Sequence, residues 1–211
     1  MLPDLNAVHF DCSGWSDRGI SDGEHIWLFD LGGVILSSFD QVPDLPRASS
    51  LSELADQLRA NMGGAALVEL DVVVIDRMRC LRQVIRQRSG PPPEGLAYVA
   101  SLTIPFTDHS FVVRVQSVER QPTGMRESDV MVKALGDGRV SAVGGGLQGW
   151  VPEPAPGFPR LDTNLSEAVA ADRDHPRHPL TLVREALNHV QSSLTITARP
   201  GAVPFTLPDG L

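Results

Sequence analysis

Residues 96–135 read LAYVASLTIPFTDHSFVVRVQSVERQPTGMRESDVMVKAL. Two apolar, β-branched runs, 98–104 and 111–118, flank the polar break Thr107-Asp108-His109. On the first run Tyr98, Ala100, Leu102 and Ile104 alternate with other residues, and on the second Phe111, Val113 and Val115 do the same. A period of two is that of a strand with one buried face, so the stretch predicts a hairpin. A turn at 122–124 then leads into a helix that Thr123 would cap and Gly136 would end. A hairpin followed by a helix sets the fold class.

Upstream, 7–12 (AVHFDC), 25–30 (HIWLFD) and 33–39 (GVILSSF) read as strands, the last two joined at Leu31-Gly32. Ser50 and Glu53 match a capping box, and Leu51, Leu54, Leu58 and Met62 form one helical stripe stopped by Gly63-Gly64. The run 66–76 is too β-branched to prefer helix, and 80–88 (CLRQVIRQR) is its expected hairpin partner across 76–79. Period-two alternation puts Arg82, Arg86 and Arg88 on one side, expected to meet solvent. A stiff GPPPEG connection at 90–95 leads to the opening hairpin.

Downstream, 136–178 carries few core-forming residues, with Gly144–Gly146 as a flexible link and a Pro-rich run at 152–159. Residues 165–170 allow a short helix. His178-Pro179 opens a longer one, with Leu182, Val183, Ala186, Leu187 and Val190 on one face. Residues 198–211 read as an irregular tail. The expected fold is α+β: an antiparallel meander covered by helices on one face, then an irregular Pro/Gly-rich region and a last helix. The expected division is 1–137 as the sheet domain, 138–178 as an irregular segment packed on it, and 179–211 as helix and tail. Leu102, Ile104, Val113 and Val115 are expected to pack against Leu54 and Leu58. A partly rolled barrel is the alternative.

The chain has 211 residues, 42% of them hydrophobic, enough for one sizeable core. A net charge of −8 repels phosphate backbones and anionic lipid at long range, which disfavours a nucleic-acid or membrane role. Lys133 is the only lysine, a bias of the kind GC-rich genomes such as those of actinobacteria produce. Cys12 and Cys80 form no CxxC and no metal spacing, and are expected to remain free thiols. The N-terminus shows no basic and apolar signal pattern, and no apolar run approaches the ~20 residues of a membrane span, so the cytoplasm is the expected location.

The order hairpin, helix, meander, helix resembles the PsbP-like fold. YVASLTIPF at 98–106, FVVRVQSVERQPTGMRES at 111–128 and DHPRHPLTLVREAL at 174–187 resemble a bacterial family frequent in actinobacteria and myxobacteria. The likeness spans roughly residues 15–190. It implies a PsbP-like topology and no catalytic chemistry, and proteins of that fold commonly bind other proteins.

Four features invite chemistry. Asp172, Asp174, His175 and His178 in DRDHPRH offer metal-ligand types, but Pro176 breaks the helix that would align them, so a polar helix entry is the favoured reading. His9 and Asp11 share one side of a strand while Cys12 points to the other, which disfavours a thiol nucleophile. Gly144–Gly146 lacks the lysine and following helix of a phosphate loop. Thr123 to Glu127 reads as a helix start, with Arg126 on an exposed rim for a partner. Trp15 and Trp150 sit in turn-rich sequence as potential exposed anchors, while Trp27 and Tyr98 belong to strands.

No motif names a reaction. The sequence is read as a non-enzymatic, cytoplasmic protein-binding module of the adaptor, chaperone or immunity type. No cofactor or metal is indicated. Its partner would be a protein, co-encoded or a second copy of the chain. Trp150, Trp15, Arg126, Arg82 and Arg86 are the expected contact residues. The alternative is an enzyme or small-molecule binder with a pocket between sheet and helices, using groups such as His25, His109 or Glu69.

Overall fold

The computed structural model describes residues 2–90, 95–155, 158–197 and 201–207. The interior of the GPPPEG connection, part of the Pro-rich run and half of the expected tail lie outside the described residues. In chain order the elements are β1 (Val8–His9), β2 (Ser16–Ser21), β3 (Glu24–Phe29), β4 (Gly32–Phe39), α1 (Leu51–Asn61), β5 (Ala66–Ile75), β6 (Met78–Arg88), β7 (Leu96–Pro105), β8 (Ser110–Val118), α2 (Met125–Gly136), β9 (Ser141–Val143), β10 (Gly146–Gln148), α3 (Pro179–Ser193) and β11 (Thr195–Ile196). The class is α+β, built on a large antiparallel sheet. Seven strands form it in the order β2-β3-β4-β8-β7-β6-β5.

Tight turns hold the register. Asp76 and Arg77 both have positive φ, the two-residue geometry whose twist suits a hairpin, so β6 starts at Met78 and not at Cys80. Asp22-Gly23 turns β2 into β3 in the same way. Strand β2 was not expected, because SDRGIS is exposed along its length and shows no apolar alternation. Its bulge and its charged residues suit an edge strand. Between Val143 and Gly146, Gly144 and Gly145 supply positive φ for a small hairpin, where the sequence suggested only a flexible link. Gly32 is required by packing: a Cβ there would collide with the Gln116 carbonyl and the Phe29 ring.

The opening hairpin behaves as its pattern dictates. Tyr98, Ala100, Leu102 and Ile104 are buried on one sheet face, beside Phe111, Val113 and Val115 of β8 and Val34 and Leu36 of β4. The helix covering that face is α3, through Leu180, Val183, Leu187 and Val190. The expected contact with Leu54 and Leu58 does not exist. The α1 stripe packs instead with Leu67, Leu70, Val72, Leu81 and Ile85, in a separate core. Strand alternation is the reason: on β6, Cys80 and Val84 face α3 while the adjacent Leu81 and Ile85 face α1. Helices therefore lie on both faces, where one covered face was expected.

That parity also corrects Arg82 and Arg86. They share the side of Cys80 and Val84, beneath the chain that follows β10, and are partly buried in ion pairs with Glu69 and Glu167. Only Arg88 of the three is exposed. Residues of the expected 1–137 unit and of α3 share one core, so the two are parts of a common packing unit.

The segment between β10 and α3 straps the β5 edge. Asp162 donates its N–H to the Leu67 carbonyl at 2.8 Å and accepts the Leu67 N–H on its carboxylate at 3.2 Å. The same carboxylate holds Arg59 of α1 through two bonds, at 3.1 and 3.2 Å. An otherwise open edge strand is thereby occupied.

Because the two cores lie on opposite faces, Leu102→Ala and Leu54→Ala should each cost ~2–4 kcal/mol of stability. Their effects should add within ~0.5 kcal/mol in chemical denaturation of the double variant, as for separated sites. A large coupling energy would place both side chains in one core.

Candidate functional site

Four arginines sit on the α3-covered side of the sheet, and two of them are deeply buried. Arg126 is 1% exposed, although it occupies the first turn of a helix. Its guanidinium donates to the Thr181 hydroxyl at 2.9 Å, the Ala168 carbonyl at 3.2 Å, the Asp172 carboxylate at 2.8 Å and the Ser166 carbonyl. Asp172 also receives Arg184 of α3, at 2.9 and 3.1 Å. Arg184 continues to Glu69 of β5 and donates to the Glu167 carbonyl oxygen at 2.6 Å. Arg86 closes on the Glu167 carboxylate at 2.7 Å.

The expectation of Arg126 on an exposed rim is thus corrected: its planar fork is spent on the chain that crosses above α3. Burial pushes the Glu167 carboxyl up, against the lowering effect of Arg86 and of the Asn164 N–H. Burial likewise pushes the Tyr98 phenol up, and the nearby Glu167 charge adds to this. This network is structural: every guanidinium nitrogen of Arg126 and Arg184 has a partner, and among the described residues the buried Arg82 Nε at its margin is left without a hydrogen bond.

A second polar group lies beside it and is differently built. Gly95 brings the start of β7 against Glu119, where a Cβ would come within 2.6 Å of the Glu119 Cβ. The Glu119 carboxylate accepts the Leu96 N–H at 3.0 Å and the Gly124 N–H at 3.3 Å. Gly124, with φ of 73°, is the N-cap of α2, so Thr123 is not the cap the sequence suggested. Glu127 stands at the third helical position, where a carboxylate usually reaches back to the cap N–H. Here Glu119 has taken that N–H. Both Glu127 oxygens are buried and without a hydrogen-bond partner.

His178 completes the group. It is the N-cap of α3, and its Nδ1 accepts the Leu180 N–H at 3.2 Å. With Nδ1 as acceptor, the proton of the neutral ring sits on Nε2. Nε2 lies 3.5 Å from Glu119, an electrostatic contact outside hydrogen-bond geometry, so this buried donor makes no hydrogen bond. One ligand-type atom from each of Glu119, Glu127 and His178 lies within 4.8 Å of the others. Burial pushes the Glu119 carboxyl up, but His178 and the two backbone N–H groups together bring it below its ordinary value.

Glu119 and His178 line a cavity of about 500 Å³ that Leu31, Met125, Pro176 and Arg120 also bound. It runs into a groove of about 750 Å³ across Leu31, Ser117 and Val118. The groove follows the second sheet face over β3, β4 and β8, lined by Ile26, Leu28, Ile35 and Val99. Leu28 and Val118 are more than 40% exposed. Arg88 and Arg120 border it, both exposed.

The other residues singled out in the sequence are dispersed. Trp15 is half-buried against Phe10, Phe29 and His189. Trp150 is half-buried at the foot of β9–β10, where its carbonyl accepts the Leu165 N–H. Trp27 is core and stacks on His25. His109 is buried and stacks on Phe106, and Glu69 belongs to the arginine network. His25, His109 and Glu69 therefore converge on no common pocket. In DRDHPRH, Asp172 serves the arginines, Asp174 pairs with Lys133, and only His178 joins the Glu119 group. Cys12 and Cys80 are free thiols; burial pushes the Cys80 thiol up to about 12, which makes it inert.

No protein-family model matches the chain, and no curated protein matches it in sequence. Among solved structures it is similar to the Ran-binding protein Mog1p of Saccharomyces cerevisiae, at 11% identity over 91% of each chain, with a TM-score of 0.47. A Mog1 mutant gives the same identity and score over 93% of this chain and 95% of that one. A Bacteroides thetaiotaomicron protein scores 0.34, covering 61% of this chain and 44% of its own. The functional reading of the chain rests on its own residues.

Asp172→Asn leaves Arg126 and Arg184 short of a buried countercharge and should cost about 3–5 kcal/mol in denaturant unfolding. For Glu119 the folded carboxyl lies below its ordinary value of 4.5. Its contribution is therefore present above pH ~4.5 and is lost as the pH falls through the folded value. Glu119→Gln should flatten the acid limb of a stability–pH profile and leave its alkaline limb in place.

Proposed function

We propose that this protein is a non-enzymatic binding module whose partner is a protein segment laid along the groove of the second sheet face. The observation that carries this is the groove itself. Apolar Ile26, Leu28, Ile35, Val99 and Val118 line a part of the sheet that α1 does not cover, and Arg88 and Arg120 stand at its border. In a chain of net charge −8, two bordering arginines with no carboxylate bonded to them among the described residues favour a partner with apolar side chains and carboxylates. The PsbP-like order of the elements, in a fold whose members commonly bind proteins, supports the same reading. So does the cytoplasmic adaptor, chaperone or immunity-type role expected from the sequence; no helix among the described residues is long and apolar enough to cross a membrane. Trp150 and Trp15, which the sequence offered as anchors, do not line this groove.

The test is site-specific photocrosslinking from Leu28 and Val99 in extract of the source cells, compared across variants. The expected outcome is one protein crosslinked at both positions. Its capture should weaken at least ~10-fold in the Arg88→Glu/Arg120→Glu double variant and fall with added salt. Capture that ignores this charge reversal, or that is lost with Trp150→Ala instead, would overturn the groove as the interface.

A further inference from the structure

We infer that Glu119 and Glu127 form a site for a divalent cation with an oxygen shell, and that His178 holds a water of that shell. This goes beyond the docking groove and rests on different atoms. The Glu119 and Glu127 ligand oxygens lie within 4.8 Å of each other and of one His178 ring nitrogen. The midpoint of two oxygens so spaced is at most about 2.4 Å from each, inside the 2.0–2.6 Å at which carboxylates bind hard cations, and a cation there leaves room for a water between it and the histidine.

Proximity of acidic groups alone makes no site. Here the polar valences are open as well as close. Both Glu127 oxygens and His178 Nε2 are sealed from solvent and make no hydrogen bond in the protein, and the His178 and Glu119 side chains are only 8% and 6% exposed. Buried polar atoms are normally satisfied, and two carboxylates this close repel one another without a countercharge. A cation supplies the charge and fills the Glu127 oxygens.

The histidine tautomer decides the kind of cation. Nδ1 accepts the Leu180 N–H, which leaves the proton on Nε2. Nε2 therefore cannot ligate a metal without moving that proton to Nδ1 and breaking the cap of α3. It can donate to a water on the metal with the cap intact. The resulting set is two carboxylates, waters, and a donor that orients one of them. That suits Mg²⁺ or Mn²⁺, which keep several waters, better than Zn²⁺, which takes nitrogen and sulfur ligands directly. The 500 Å³ cavity beside Glu119 and His178 provides the entry and room for the waters.

The experiment titrates the full chain with Mn²⁺, read by electron paramagnetic resonance and by water-proton relaxation, with Mg²⁺ as competitor. One saturable site is expected, with relaxation enhancement showing retained waters and displacement by Mg²⁺. Glu127 makes no hydrogen bond in the fold, so Glu127→Gln should stay folded by circular dichroism while weakening Mn²⁺ binding at least ~10-fold. His178→Asn keeps a good N-cap and should weaken binding only a few-fold. Absence of saturable binding up to millimolar Mn²⁺, or equal binding by Glu127→Gln, overturns the site. A directly coordinated nitrogen in pulsed spectra, lost with His178→Asn, overturns the oxygen shell.

Discussion

Asp172 is the residue on which the upper layer of this molecule depends. It stands between Arg126 of α2 and Arg184 of α3, and Arg184 passes the connection down to Glu69 on the sheet. One carboxylate thus ties two helices, the crossing chain and the edge hairpin β5–β6. Taking these charges out of water is costly, and the cost is offset only because each guanidinium also donates to backbone carbonyls of 166–168. Those carbonyls belong to two short 3-10 turns, Leu165–Glu167 and Val169–Ala171, whose own bonds leave the Ser166 and Glu167 carbonyls free. The arginines give those carbonyls their partners.

The strap has a second anchor on the opposite face. Asp162 holds the β5 backbone at Leu67 and the α1 side chain Arg59 together. Between Asp162 and Asp172 the chain passes from the α1 core around the sheet edge to the α3 core. The two cores share no side chain, so the strap and the sheet are what make them one body. The contrast with the Glu119 group is informative. Around Asp172 every guanidinium nitrogen of Arg126 and Arg184 is matched, whereas Glu127 keeps two buried acceptors and His178 one buried donor without a hydrogen bond, the histidine at the wall of a cavity. Leftover valence beside a cavity is where a ligand adds what the protein omits.

The periodic parts of the fold were legible. Alternation on 98–104 and 111–118 gave the central hairpin, the 51–62 stripe gave α1, and His178-Pro179 gave the start of α3. Each is a local pattern whose meaning survives in any packing. Turn chemistry was harder: Asp76-Arg77 carries no glycine, so the position of the β5–β6 turn was shifted by two residues. Strand β2 escaped because an exposed edge strand needs no apolar alternation.

The candidate site was legible only in fragments. His178 stood out, but its neighbours in sequence drew attention to Asp172, Asp174 and His175, while its neighbours in space are Glu119 and Glu127. Arg126 read as exposed because a helix N-terminus is normally solvated, and its partners lie 40 to 55 residues further along the chain. By itself the sequence determined the strands and helices that carry an apolar period, because those follow from local periodicity. Which helix covers which face, which charges are buried, and which polar atoms are left unpaired was decided by the tertiary structure alone. Those outcomes depend on the parity of strands across the sheet and on contacts between residues far apart in the chain, neither of which any local window contains.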